Sequence, residues 1–532
     1  MVVSEPVLLV LGLAVTIACA IVAKRLALPY PIVFVLAGTL LAFVPGLPRV
    51  RIDPDWIFIS ILPPLLFAGG WQTDWLLFRR TLRPITQLAV GLVIVSTLAV
   101  AVLAEKIVPG LGWASAFVLG AIVSPPDAIA AIATFERFSV PRRIATIVEG
   151  EGLVNDASAL VLYGYAVMAA VTGAFSLPVA ALSFVVSTLG GIAGGFIVAW
   201  IAARLIRFLA RYELDDSLID NLTFLGAPYA AYLGAQGLHV SGVLATVTAG
   251  ILISRRSSVL YSPDSRLIGA NVWALLVYLV NAYVFLVIGL QLRSIMTERP
   301  HALELLPAAL AISLLLIVLR LVWVFATSWL ARQIPAVRRH EPRPTPKALL
   351  VIGWSGMRGI ISLAAALALP FRDALGRPFP GRDAITFITF VVIFVTLVGQ
   401  GLSLIPLLRV LKFSSDGKDD TEEHEIKVRI VALEEGLKAV GELEAKHTAP
   451  YEREVLQRLR NEYETRIEHL RHHGASADGS ETPESAFDHF AQTATIHAER
   501  RAVLHLRDQG KIPDEIFRTV QYDMDLAEAR LF

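Results

Sequence analysis

The chain has 532 residues, 55% hydrophobic and 17% charged, with a mean hydropathy of +0.62. Soluble domains carry about 25% charged residues, so this composition excludes an ordinary soluble protein and fits an all-α, polytopic membrane protein. The 47 basic and 46 acidic residues cancel to +1, which gives no hint of a nucleic-acid partner, and the single cysteine, Cys19, excludes an intramolecular disulfide.

No basic residue precedes the first apolar run, while Lys24 and Arg25 follow it. This is the reverse of a cleavable signal peptide and fits a first span with its N-terminus outside. A ruler of about 20 apolar residues per span predicts thirteen. They lie near 6–23, 30–47, 55–71, 84–104, 113–134, 144–172, 177–203, 218–236, 239–254, 272–292, 304–331, 347–369 and 384–411. Only Gly237 and Leu238 separate the eighth and ninth. With the N-terminus outside, the inner loops hold nineteen Lys and Arg and the outer loops eight, from Arg49 to Arg382. This asymmetry orients the chain and leaves the C-terminal tail on the cytoplasmic side of the plasma (inner) membrane.

Two spans carry breaks. The fifth has Ser124-Pro125-Pro126-Asp127 at its middle, and the twelfth has Gly353-Trp354-Ser355-Gly356-Met357-Arg358-Gly359. Proline removes a backbone donor and clustered glycines make an extended kink cheap. The breaks lie seven spans apart, so a repeat of about 1–172 in 218–411 superposes them, the second copy inverted. Paired broken helices in inverted repeats point to a midplane ion site in a secondary transporter.

After Leu411 the composition changes. A charged linker, FSSDGKDDTEEHE, leads into a helical tail covering 412–532. Ile426, Ile430, Leu433, Leu437 and Val440 form one helical stripe, and Leu456, Leu459, Tyr463, Ile467 and Leu470 form a second beyond Pro450. HHGASADGSETPES reads as a flexible link, and 485–532 as helical again.

The ionisable residues expected inside the membrane are Asp127, Glu149, Glu151, Asp156, Arg320 and Arg358. A charge at the bilayer centre costs about 2.5–3.5 kcal/mol on insertion scales, so each needs a task or a partner. On a helix Glu149, Gly152 and Asp156 share one face, while Asn155 stacks over Glu151 on the next. Arg358 is expected to pair with Glu151, joining the two halves of the protein. Asp156 is then the bare carboxylate: burial favours its protonated form and a nearby cation its charged form, so a proton and a metal ion compete for it. Asp127 is placed either to help hold the ion or to cap the second half-helix. No phosphate-binding loop, HExxH or GxSxG motif is present, and the chain is not read as an enzyme.

At these residues the sequence resembles a known family. EGLVNDASALVLY (Glu151 to Tyr163) is similar to the GESLLNDA-type motif of the electroneutral sodium/proton exchangers of the cation/proton antiporter-1 family, bacterial branch. SPPDAIAA, LPPLLFAGGWQTDW and GWSGMRGIISLAAALALP resemble its fifth-, third- and twelfth-span motifs, and PYAAYLGAQGLHVSGVLATVTAGIL resembles its bacterial members. The ending GKIPDEIFRTVQYDMDLAEARL is similar to their common tail.

The resemblance implies an inverted-repeat, homodimeric antiporter with a core and a dimerisation domain, serving sodium transport and pH homeostasis without a cofactor. It implies that Asp156 binds the ion and the proton with Asn155 as helper. It also makes Asp127 the acidic residue at the crossing of the broken helices and Glu151 with Arg358 the structural ion pair. Glu149, Gly152, Pro126 and Arg320 are accessory candidates. Two positions depart from the family pattern: Gly152 where a serine is common, and Ala68 where an acidic residue is common. Water or backbone carbonyls must then complete the shell of the cation, and the choice among Na+, K+ and Li+ stays open. A potassium/proton exchanger is the rival within the family, and a tail-regulated cation channel is the rival from another class.

Overall fold

In hydrocarbon a backbone has only itself to bond to, and this chain satisfies it with helices. The computed structural model describes residues 5–44 and 56–475, apart from 136, 139, 174–175, 213–215, 298–301, 342, 374, 412–415 and 447–448. It also describes 495, 498–506, 509 and 520–521. Among these there is no β-strand, only a single bridge between Arg372 and Pro378. The chain divides into two compact units, Met1–Ser414 and Ser415–Phe532.

The first unit begins with α1 (Glu5–Arg25), α2 (Tyr30–Ala42), α3 (Ile57–Gln72) and α4 (Leu82–Ile107). The first broken pair follows, α5 (Trp113–Val123) and α6 (Ile129–Phe135), then α7 (Arg142–Thr172) and α8 (Leu177–Arg211). Next come α9 (Ser217–Gly237), α10 (Gly242–Leu260), α11 (Pro263–Thr297) and α12 (Leu306–Ala331). The second broken pair, α13 (Pro346–Trp354) and α14 (Ile360–Leu367), precedes α15 (Arg382–Leu411). Among the described residues six helices, α4, α7, α8, α11, α12 and α15, are long and apolar enough to cross a membrane.

Several ends differ from the sequence expectation. The ninth span, expected from residue 239, starts at Gly242. His239 takes a left-handed conformation (φ 57°), and the Ser241 hydroxyl accepts from the Leu244 N–H at 3.2 Å to cap α10. The tenth is longer than 272–292, since α11 runs from Pro263 to Thr297. Among the described residues three helices contain a π-helical stretch, at Ile57–Ile61, Gln87–Leu92 and Val395–Gln400. Such wide turns disturb the regular bonding ladder, and neighbouring side chains use the carbonyls there: Ser158 donates to Ala89 at 2.6 Å and Trp323 to Gln87 at 3.1 Å.

The main apolar core surrounds the broken helices, with Val118, Leu119, Val123, Leu363 and Ile388 fully buried. A second cluster joins α3, α8, α9, α10 and α11 through Phe67, Ala202, Ala231, Ala245 and Trp273.

The second unit contains α16 (Asp416–Lys446) and α17 (Pro450–Ala475). Arg471 reaches Glu434 at 2.8 Å, and Arg460 Nε reaches Glu444 at 3.1 Å, so the two helices run antiparallel. Val440, Leu456 and Ile467, one or more from each expected stripe, are buried between them. The charged stretch expected as a linker is helical from Asp416, and α17 extends through His472, His473 and Gly474 to Ala475. Residues 476–494 and most of 507–532 lie outside the described residues; of the helix expected over 485–532, residues 498–506 are helical.

Candidate functional site

Two prolines end α5. Neither Pro125 nor Pro126 can donate to the preceding turn, so the last carbonyls of the helix need other partners. Arg358 Nε donates to the Val123 carbonyl at 3.1 Å. The chain then passes through Pro126 and Asp127 before α6 begins, and the Asp127 carboxylate accepts the Ile129 N–H at 2.8 Å. The capping role open to Asp127 is therefore made.

The second break is closed in a similar way. Arg320 Nε donates to the Ile352 carbonyl near the end of α13 at 3.2 Å, and Gln400 donates to Trp354 at 3.3 Å. Arg358 donates its N–H to the Thr396 hydroxyl at 3.1 Å and an Nη1 hydrogen to the Gly356 carbonyl. The two breaks also touch: the Asp127 N–H donates to the Met357 carbonyl at 2.6 Å. A Cβ on Gly359 would lie 1.7 Å from Asp127 Oδ2, so only glycine lets the two unwound segments pass this closely. Unwound backbone at this depth survives because protein groups satisfy it.

Helix α7 runs alongside, from Arg142 to a left-handed Gly173. Its Glu149, Gly152 and Asp156 line a cavity of about 240 Å³ together with Pro126, Asp127, Ala68 and Gly359. A water needs at least about 10–15 Å³ of such space, so the cavity is large enough for a monovalent cation with several waters. Three carboxylates line it, Asp127, Glu149 and Asp156, and no described lining residue is basic. A concave surface of one charge sign raises the local concentration of the opposite ion. A Cβ on Gly152 would lie 2.9 Å from the Ala128 Cβ, so glycine keeps α7 tight against the first break.

The adjacent face of α7 turns into protein. Asn155 is fully buried and its Nδ2 donates to the Pro126 carbonyl at 2.8 Å, tying α7 to the break, while its Oδ1 has no hydrogen-bond partner. Glu151 does not pair with Arg358. It receives both arms of Arg320, at 2.5 and 2.6 Å, with each side chain 1% exposed. This corrects the expected pair. A broken helix offers free carbonyls, and Arg358 lies in the break itself, where Val123 and Gly356 take its donors. Arg320 projects from the continuous helix α12 with its planar fork free to meet a carboxylate side-on.

One residue escaped the sequence reading. Asn281 of α11 lines the same cavity, is 2% exposed, and carries a buried Oδ1 without a partner. Its signal was a lone amide within the apolar run from Val272 to Leu290; a search restricted to ionisable residues passes over it. Among the described residues no three His, Cys, Asp or Glu side chains gather as a metal cluster.

The sequence model of the transmembrane sodium/hydrogen exchanger family matches residues 11–410. The Na(+)/H(+) exchanger YjcE of Escherichia coli is 32% identical over 523 residues, covering 95% of this chain and 94% of that protein. A sodium, potassium, lithium and rubidium/H(+) antiporter of Bacillus pumilus is 33% identical over 388 residues, 72% of this chain and 58% of that one. Among solved structures, the sodium proton antiporter MjNhaP1 of Methanocaldococcus jannaschii superposes with a TM-score of 0.56. It is 18% identical and covers 76% of this chain and 97% of its own. At that identity the likeness speaks for the fold.

Proposed function

The chain is a multi-pass membrane protein that belongs to the sodium/hydrogen exchanger family, and from that premise we propose that it exchanges one monovalent cation, Na+ first, for one proton by alternating access around Asp156. The observation that carries this reading is the cavity, which Asp156 and Asp127 both line beside the contact of two broken helices, with no described basic residue lining it. Burial opposes a bare carboxylate there, so the site is occupied by either a proton or a cation. Each crossing then carries one or the other, and a turnover swaps them. Asn155 holds α7 to the Pro126 carbonyl, which keeps Asp156 in register with Asp127. The oxygens missing at Gly152 and Ala68 are replaced by water and by the Asn281 amide.

A potassium/proton exchanger is the second reading, favoured by those two missing oxygen donors and by the broad cation range in the name of the Bacillus pumilus relative. Thirteen crossings in inverted repeats, a homodimer in the cytoplasmic (inner) membrane, an inward-facing tail and no cofactor or catalysed reaction complete the proposal. Proteoliposomes holding the purified protein and a pH dye test it. Na+ or K+ pulses should alkalinise the lumen of acid-loaded vesicles at a rate independent of a clamped membrane potential. A current at fixed voltage without a proton gradient would identify a channel instead.

A further inference from the structure

A second cavity, of about 80 Å³, lies away from the carboxylates, between the ends of α4, α7 and α12 that carry basic loops. Arg83 at the start of α4, Arg143 in the first turn of α7 and Arg332 just after α12 line it, with Glu341 as their acidic neighbour. Three guanidinium groups face one carboxylate, a local excess of positive charge. Glu341 is itself already engaged. Its carboxylate takes Arg83 Nη2 at 2.8 Å, its backbone carbonyl takes Arg332 Nη1 at 3.1 Å, and Arg143 stands off at 3.9 Å.

Arg83 Nε and Nη1 are buried with no hydrogen-bond partner. A buried charged donor left unmade is costly, and a planar fork with two free donors matches an oxyanion. Helix α7 adds the positive end of its dipole, since it starts without a side-chain cap and its Arg143 faces the cavity. At roughly 10–15 Å³ per water, the space takes a group of several heavy atoms, of phosphate size. Basic pockets between membrane helices on the cytoplasmic side are suited to anionic headgroups.

We propose that Arg83, Arg143 and Arg332 form a binding site for one phosphate group of net negative charge, either the headgroup of an anionic lipid or free phosphate. An ion held there braces the start of α7, which carries Glu151 and Asp156, against the end of α12, which carries Arg320. The test uses the full chain and reads binding without any cation gradient, so it stands apart from the exchange reading. Thermal stability is followed in neutral detergent with added inorganic phosphate, and in phosphatidylcholine vesicles with and without phosphatidylglycerol. Protection by both identifies a site for the phosphate group itself, and protection by phosphatidylglycerol alone identifies the lipid. In either case Arg83→Gln should weaken the apparent affinity by about tenfold. Arg143→Gln, whose side chain is 38% exposed, should do the same without threatening the fold, while Arg339→Gln, outside the cavity, should leave it unchanged. No protection by either anion, or protection equal in all three variants, overturns the proposal.

Discussion

Replacing Arg320 by alanine leaves Glu151 as a carboxylate 1% exposed, without either arm of its fork. Removing one partner of a buried pair costs about 3–5 kcal/mol, because the remaining charge stays desolvated. At 1.4 kcal/mol per factor of ten, the folded-to-unfolded ratio should fall by roughly two to nearly four orders of magnitude. The Ile352 carbonyl also loses its donor, which adds to the loss. Glu151→Gln in the same chain removes the stranded charge and should restore a large part of it. Reversible unfolding in mixed detergent micelles, followed by tryptophan fluorescence, measures each step. The same Glu151→Gln change should not rescue Arg358→Ala, whose guanidinium serves the carbonyls of Val123 and Gly356. If Glu151→Gln rescues Arg358→Ala and leaves Arg320→Ala unimproved, the assignment of the pair is refuted.

Other expectations follow from the cavity and the tail. Gly152→Ser supplies the oxygen common in the family but crowds Ala128; cation-driven proton movement should fall, and Ala128→Gly in the same chain should recover it. Asn281→Ala should raise the half-saturating cation concentration by about tenfold, the scale of one lost polar contact, with little change in thermal stability; an unchanged cation dependence would remove Asn281 from the ion path. In the tail, the hydrogen bond from Arg460 holds the Glu444 carboxyl below its usual range. That bridge contributes fully above the unfolded-state carboxylate value, near about 4.3, and is lost as pH falls through the lower folded value. Spin labels replacing the exposed Lys438 and Gln457 should therefore keep a fixed separation near neutrality and broaden only in strong acid; broadening already at mildly acidic pH would contradict the bridge.

The breaks were legible because their cause is local: Pro125 and Pro126 cannot donate, and Gly356 and Gly359 permit close passage. That Asp156 shares a face with Glu149 and Gly152 follows equally from helical period. The partner of Glu151 was not legible, since a guanidinium chooses between carboxylates and freed carbonyls by position across three helices, which spacing along the chain does not encode. Arg320 gave no sign of being nearer than Arg358. Asn281 was hidden for another reason: a single amide in a long apolar helix carries no charge to draw notice, and only the cavity reveals that its oxygen lacks a donor. The tail stripes around Val440 and Leu456 are legible as two helices, but that they bury against each other is not, since a stripe does not name its partner; the charged run after Asp416 resembles a linker by composition, yet high charge does not by itself prevent a helix.

The most direct measurement is exchange by Asp156→Asn in proteoliposomes. The substitution keeps size and polarity but removes the charge for which a proton and a cation compete. The variant should purify with the same oligomeric state and thermal stability as the parent and show no proton movement on addition of Na+, K+ or Li+ at any pH. Cation-dependent proton movement retained at the parental rate would contradict the central role of Asp156.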